Sequence, residues 1–505
     1  MPAHLKILPA ALFATVACAL ADAAIEQIDV THQYVAERAS ELASQPYDDD
    51  PPNLPKSLDE LTYDDYRRIR FVPEESLWRG DASPFQVQFF HPGYIFKWTV
   101  ALNEFTDGYV QRIPFLRTFF DYQDLRIPGR LPGDLDYAGF KVLYPFKDPG
   151  RLDEVVSFLG ASYFRAVGRD HTYGLSARGL AINSGGPELE EFPRFVEFWL
   201  GKPPGGATEL TVHALLDSHS VTGAYTFRVV PGEATVTEVH ATLFFRRVPD
   251  VAGYAPITSM FWYGENSHSQ HGDFRPEVHD SDGLLVAVGE ERTWRPIFNP
   301  PSTRLTDFPA ENLRGFGLLQ RDRLFYSYQD MEAHYQDRPS LWMEPMGQWP
   351  AGKVRLVELH SENEYGDNMV AFFVPENPPE LERPLELRYR LHWTSAGTFG
   401  GPRGIVGHTR QSVRDAHAGK TMFVVDFSTA GMEQYPADAD IQPEVKVEGP
   451  AAVERVEVRR NEVDGTWRLT LWLAATERGG VVTTTARLVL GGAPISEYIS
   501  LPWNP

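Results

Sequence analysis

Leu385-Glu386-Leu387-Arg388-Tyr389-Arg390-Leu391-His392-Trp393 decides the fold class: apolar side chains at every odd position alternate with charged or polar ones between them. A period of two sends the first set to one face of a strand and the second to the other, as in a half-buried sheet. The same alternation recurs in Phe85-Gln86-Val87-Gln88-Phe89. Val456-Glu457-Val458 and Leu469-Thr470-Leu471-Trp472-Leu473 flank the turn-former Asp464-Gly465 and read as a hairpin. The 41 Gly and 40 Pro are scattered rather than gathered in tracts, so they punctuate many short elements. Helical signals are few. One covers 31–44 with Thr31 as cap, and one covers Leu61 to Ile69 with Thr62 as cap and Asp64 and Asp65 in its first turn. The expectation is an all-β protein of sandwich type.

Pro375-Glu376-Asn377-Pro378-Pro379-Glu380 is costly inside a sheet and marks an expected boundary. It divides the chain into a large N-terminal β-sandwich over 24–378 and a smaller one over 379–505. The second has the size and strand pattern of an immunoglobulin-like domain. A length of 505 residues allows two or three domains. No internal repeat or low-complexity segment interrupts either part.

The formal net charge of −22 disfavours nucleic-acid backbones and anionic membrane surfaces as partners. Lys6, the apolar run Ile7 to Ala21 and the small-x-small sites ending at Ala21 and Ala23 have the form of an export signal over 1–23. A periplasmic location is therefore expected, by the general route, because no twin-arginine pair precedes the run. Cys18 is the only cysteine and lies in that leader, so no intramolecular disulfide can form. After residue 24 no apolar run is long enough to cross a membrane.

Several familiar motifs fail on inspection. Gly315-Phe316-Gly317 lacks the third glycine of a dinucleotide loop, and Gly160-Ala161-Ser162-Tyr163-Phe164 lacks the last glycine of a nucleophile elbow. Asp280-Ser281-Asp282-Gly283 is a fragment of a calcium loop, but Leu285 stands where the loop needs glycine. His268, His271 and His279 lack the spacing of a zinc site, and ordinary loop histidines are the plainer reading. What remains is an acidic chain in which aromatic residues make up 12%, several beside carboxylates in loops. Rings that stack on sugar faces and carboxylates that bond hydroxyls suit a neutral polyhydroxylated ligand.

A set of strings resembles the periplasmic glucan biosynthesis proteins of Gram-negative bacteria, the G and D members. They are Tyr137–Pro145 (YAGFKVLYP), Gly160–Arg165 (GASYFR), Tyr173–Ile182 (YGLSARGLAI), Glu191–Phe195 (EFPRF), Thr258–Phe261 (TSMF), Arg275–Ser281 (RPEVHDS), Trp294–Pro296 (WRP) and Gly315–Arg321 (GFGLLQR). They occur in family order and run through nearly the whole chain after the leader. The resemblance implies a galactose-mutarotase-like N-terminal sandwich followed by an immunoglobulin-like one. It also implies a role in making osmoregulated periplasmic glucans of β-1,2-linked glucose, with β-1,2-glucan as ligand and the inner-membrane glucan synthesis machinery as a partner.

Some members are glycoside hydrolases. Their general acid corresponds to Asp367 in Glu364-Tyr365-Gly366-Asp367-Asn368, and their general base to Asp280 in His279-Asp280-Ser281. Glu364 and Tyr335 correspond to positions lining the same cleft, and Trp294, Arg295 and His279 are further candidates for sugar contact. The chain departs from the family's usual run at Tyr365-Gly366, where Thr-Asn is commoner. Glycoside cleavage needs one carboxylic acid to protonate the leaving oxygen and one carboxylate to activate water or attack the sugar, with no metal or cofactor. Hydrolysis and transfer to another sugar hydroxyl both fit such a pair. The rival expectation is a non-catalytic glucan-binding scaffold in backbone synthesis.

Overall fold

The computed structural model describes residues 25–48, 54–127, 129, 131–267, 272–400, 404–415, 419–428, 432–477 and 479–505. The expected leader with Cys18, and His268 and His271, lie outside the described residues. The protein is built almost entirely of antiparallel strands, as the alternation predicts.

Two sheets face each other across the main core. The longer has sixteen strands, and its middle runs Leu210–Asp217, Val221–Val230, Thr235–Phe245, Leu385–Thr394, Ser340–Pro345, Leu313–Leu319, Gly283–Val288 and Glu291–Pro296. The other has ten strands, among them Gly352–Glu358, Met369–Pro375, Ala252–Ser259, Ser176–Arg178 and Tyr163–Ala166 in that spatial order. Of the apolar set of the opening stretch, Leu387, Tyr389, Leu391 and Trp393 are buried between them and Leu385 is half-buried at the edge of the core. Burial of each such side chain is worth roughly 1.5–3 kcal/mol, so the alternation itself holds this strand in register.

The strand Leu385–Thr394 corrects the expected boundary. It pairs with Thr235–Phe245 on one side (Val239 opposite Tyr389) and with Ser340–Pro345 on the other (Leu341 opposite Trp393), so it sits inside the first sandwich. The Pro-rich segment before it is a crossing from the ten-stranded sheet to the longer one. The chain leaves that sandwich only after Thr394.

The C-terminal part adds a four-stranded sheet in the order Val406–Asp415, Lys420–Phe427, Trp467–Ala475, Ala451–Arg460. The expected hairpin is its last pair, with Val456 opposite Leu471 and Gly465 at φ +78 in the turn. Its facing partner is an extension of the long sheet. Tyr498–Trp503 runs parallel to Glu291–Pro296, with Trp294 opposite Ile499, and Val482–Leu490 and Ile441–Glu448 follow. One sheet therefore runs through both parts, and Leu285, Trp294 and Trp342 of the first pack with Val425, Leu471 and Leu501 of the second.

The first helix, His32–Ala43, is capped by Thr31, whose hydroxyl accepts from the Tyr34 amide at 3.2 Å. The second is shorter than expected, Tyr63–Tyr66, closed by a capping box between Thr62 and Asp65. No helix among the described residues is long and apolar enough to cross a membrane.

Candidate active site

Asp367 and Asp280 come together at one end of strand Ala252–Ser259. Asp367 stands two positions before the start of strand Met369–Pro375, which pairs with Ala252–Ser259 through Ser259–Met369 and Thr258–Val370. The amide of Asn368 pins the turn: its Oδ1 accepts from the Phe261 N–H at 2.9 Å, and its Nδ2 donates to the carbonyls of Phe261 and Leu359 at 3.0 Å each. On the other flank Ser176 pairs with Thr258, and its hydroxyl donates to Asp367 Oδ2 at 3.2 Å. Arg165 Nε donates to the same hydroxyl at 3.0 Å, and its Nη2 stands 3.6 Å from Asp367 Oδ2.

Asp280 follows the short strand Val278–His279 and is fixed by its amide, which donates to the Met260 carbonyl at 2.8 Å. Its neighbour Ser281 is hydrogen-bonded to Ser259 at 2.8 Å. Its carboxylate takes a charge-assisted bond from Arg338, whose guanidinium also lies 4.2 Å from the centre of the Tyr335 ring. Gly174 makes room for that arginine, since a Cβ there would stand 2.9 Å from Arg338 Cβ.

The two aspartates differ in exposure: the side chain of Asp280 is 5% exposed and that of Asp367 is 21% exposed. Burial raises the pKa of Asp280. Arg338 pulls it down, and the charge of Asp367 pushes it up again.

Glu364 and Tyr335 join the same network. Tyr335 donates its hydroxyl to Glu364, and burial together with that bond holds its pKa well above the ordinary phenol value, so it keeps its proton. Arg275 clamps Glu364 with two bonds of 2.8 and 3.0 Å, and also holds Asp330 at 2.9 Å and Asp273 at 2.7 Å. The arginine's bonds hold Asp273 at about 2. Large apolar side chains stand exposed beside these anchors in the chain: Phe274 next to Arg275, Met331 next to Asp330 and Tyr365 next to Glu364. A buried acid, a more open acid and two exposed rings next in the chain to Arg275 and Glu364 form an arrangement suited to a sugar polymer.

Comparison with known proteins agrees with the resemblance read from the sequence. The family described as "Periplasmic glucan biosynthesis protein, MdoG" matches residues 31–503. The chain belongs to this family. Three similar relatives carry the name "Glucans biosynthesis protein G". That of Ralstonia nicotianae is 41% identical over 476 residues, covering 92% of this chain and 94% of its own. That of Pseudomonas paraeruginosa is 42% identical over 466 residues, covering 90% and 89%. That of Rhodopseudomonas palustris is 41% identical over 479 residues, covering 95% and 94%.

Three residues expected to touch sugar in this family member stand elsewhere. Arg295 is 0% exposed and pairs at 2.7 Å with the equally buried Glu358, which also accepts from the Phe298 N–H at 2.9 Å. Trp294 points the opposite way from strand Glu291–Pro296, into the second core, with the Arg321 guanidinium 3.7 Å from its ring centre. Neither offers an exposed face to a sugar.

His279 is buried behind Asp280. Its Nε2 bonds Glu277 at 2.8 Å, its Nδ1 bonds Gln320 at 3.1 Å, and its ring stacks on Phe261. Burial opposes its charge, yet the bond to Glu277 and the field of Asp282 hold its pKa up at about 9. It positions the Asp280 turn and makes no surface.

The residues missed by sequence reasoning are the cations: Arg165, Arg275 and Arg338, with Ser176. Arg165, Ser176 and Arg275 lie inside strings quoted for the family resemblance, whereas Arg338 lies outside them, three residues after Tyr335. The available signal was an arginine in a string that also carries, or folds against, an acid.

Proposed function

We propose that the protein cuts β-1,2-glucan, or cuts and re-joins it, during periplasmic glucan synthesis, with Asp367 as general acid and Asp280 as general base. Membership of the glucan biosynthesis family supports the broad role. One observation carries the chemical part. Two carboxylates 87 positions apart in the chain stand close enough for the charge of Asp367 to act on Asp280, the first held by Ser176 and Arg165 and the second by Arg338.

The division of labour follows from exposure. Asp367 is open enough to meet a glycosidic oxygen, whereas Asp280 has little surface and works on water at its edge or through a relay. A raised pKa makes Asp280 the stronger base once ionised, and the charge of Arg338 favours that ionised form. Glu364, held from both sides by Arg275 and Tyr335, offers fixed acceptors for sugar hydroxyls, and the exposed rings offer stacking faces. Whether water or a sugar hydroxyl receives the glycosyl group depends on how well water is kept out. A neutral glucan meets no electrostatic barrier at this acidic protein, and nascent chain arriving from the inner-membrane synthesis machinery is a chemically suitable substrate.

The test is incubation of the purified chain with linear β-1,2-glucan and mass analysis of the products. Shorter or re-linked chains are expected, and linear β-1,3- or β-1,4-glucans should be untouched. Tight binding with the glucan length distribution unchanged would replace this reading by the scaffold one.

A further inference from the structure

A small cavity of about 20 Å³ lies where the loop after Phe261–Tyr263 meets strand Val406–Asp415, with His279 in its lining. It is large enough for one water or one ion. Its walls are unusually rich in charge. Glu265, Glu277, Asp282 and Asp322 line it, with His279 beside them.

These side chains form two clusters. Ligand atoms of Glu265, Asp322 and His408 lie within 4.8 Å of one another, and those of Glu277, His279 and Asp282 do the same. Some of the charge is met locally: His408 bonds Glu265 at 2.6 Å, and Arg410 Nη2 reaches the same oxygen at 3.0 Å. Arg321, the next cation along the chain, is engaged with Glu497 at 2.6 Å instead.

A second observation is independent of the acids. Thr409 is 4% exposed and lines the cavity, and among the described residues its Oγ1 has no hydrogen-bond partner. The buried Oδ1 of Asn266, also on the cavity wall, has none either. Native proteins rarely leave such oxygens unmet. Two unmet oxygens facing a site of four carboxylates and two imidazoles are what a bound cation would satisfy, since a cation takes lone pairs from all of them at once.

We propose that this cavity holds one divalent cation of the zinc–manganese type, tying the four-stranded C-terminal sheet to the N-terminal sandwich. The donor set decides the class: imidazole nitrogen with carboxylate oxygen and no thiolate suits zinc or manganese better than copper(I) or an all-oxygen calcium site. Glu265, Asp322 and His408 are the primary ligands, with the Thr409 hydroxyl and Asn266 carbonyl oxygen completing the shell. Glu277, His279 and Asp282 stand behind as the charged wall. The role is structural, because a carboxylate pair needs no metal for glycoside chemistry. The ion braces the strand that leads to Asp280 from behind.

The test uses the full purified chain, stripped with chelator and then equilibrated separately with Zn²⁺, Mn²⁺ and Ca²⁺. Bound metal per chain is measured by mass spectrometry of the gel-filtered protein, alongside thermal unfolding. One equivalent of zinc or manganese and a higher unfolding temperature are expected, both lost in the double variant Glu265→Gln, Asp322→Asn. Thr409→Val, which keeps shape and charge, should weaken binding about tenfold. His240→Gln, in the separate His32–His240–Glu386 cluster on the sheet surface, should change nothing. The proposal falls if the stripped chain takes up no zinc or manganese, or if calcium is preferred. It falls equally if the metal survives the double variant or if Thr409→Val binds as tightly as the parent.

Discussion

Replacing Arg295 by methionine should destabilise the protein severely without touching its ligand. Arg295 and Glu358 are both 0% exposed and meet at 2.7 Å. Arg295 also donates to the Pro296 carbonyl, and Glu358 holds the Phe298 amide. Burial alone lowers the pKa of Arg295, and the charge of Glu358 works against that. Methionine fills much the same volume, so the main loss is the partner of a carboxylate sealed from water. Breaking one side of such a pair costs about 3–5 kcal/mol, and the lower end is already a factor of about 150 in the folding equilibrium.

The double variant Arg295→Met, Glu358→Gln removes both charges and should recover most of that loss, leaving a deficit of about 1–2 kcal/mol for the amide bond and packing. Equilibrium urea denaturation, followed separately by tryptophan fluorescence and far-UV dichroism, measures both variants. Glucan affinity of the folded fraction should be unchanged. A single variant that loses less than about 1 kcal/mol, or that binds glucan more weakly at full stability, would refute the assignment of this arginine to the core.

Three further outcomes follow from the site. Arg338→Gln removes the charge that lowers the pKa of Asp280; a base works only when ionised, so the acidic limb of the activity profile should move to higher pH, and an unmoved limb would count against Asp280 as base. The same group favours the folded protein most below the ordinary carboxylate value of 3.8, and that contribution is lost as pH rises through its higher folded value. Arg275→Gln frees Glu364, Asp330 and Asp273 together; glucan affinity should fall about tenfold or more, and the stability that Asp273 supplies above pH 3.8, normally lost only as pH drops through about 2, should vanish from acid titrations. Tyr365→Ala, at 89% exposure, should leave stability within about 0.5 kcal/mol while weakening glucan binding, measured by titration calorimetry.

The strand Leu385–Thr394 shows how far the sequence could be read. Its alternation is a local property and survives intact in the structure. Its place is not local: proline and charge mark an exposed crossing equally well between two sheets of one sandwich and between two domains, and here they mark the former. Trp294 and Arg295 were misread for a related reason. The end of this strand is covered on both faces, and the acid that lets an arginine be buried there stands 63 positions away, so an aromatic next to an arginine reads as a sugar contact.

The acids of the site were legible because the family strings surround them. Their partners were not, since Ser176 and Asp367 meet across 191 positions and Arg338 and Asp280 across 58, distances that only folding closes. The aspartates alone gave the chemistry its residues, and the three arginines give those residues their geometry.

The most direct measurement is the rate of product formation from linear β-1,2-glucan by purified Asp367→Asn and Asp280→Asn chains, each checked for native dichroism and for glucan binding. Removing a general acid or base should lower the rate by about 100-fold or more while binding is retained. Parent-like turnover by either folded variant would contradict the paired-carboxylate account.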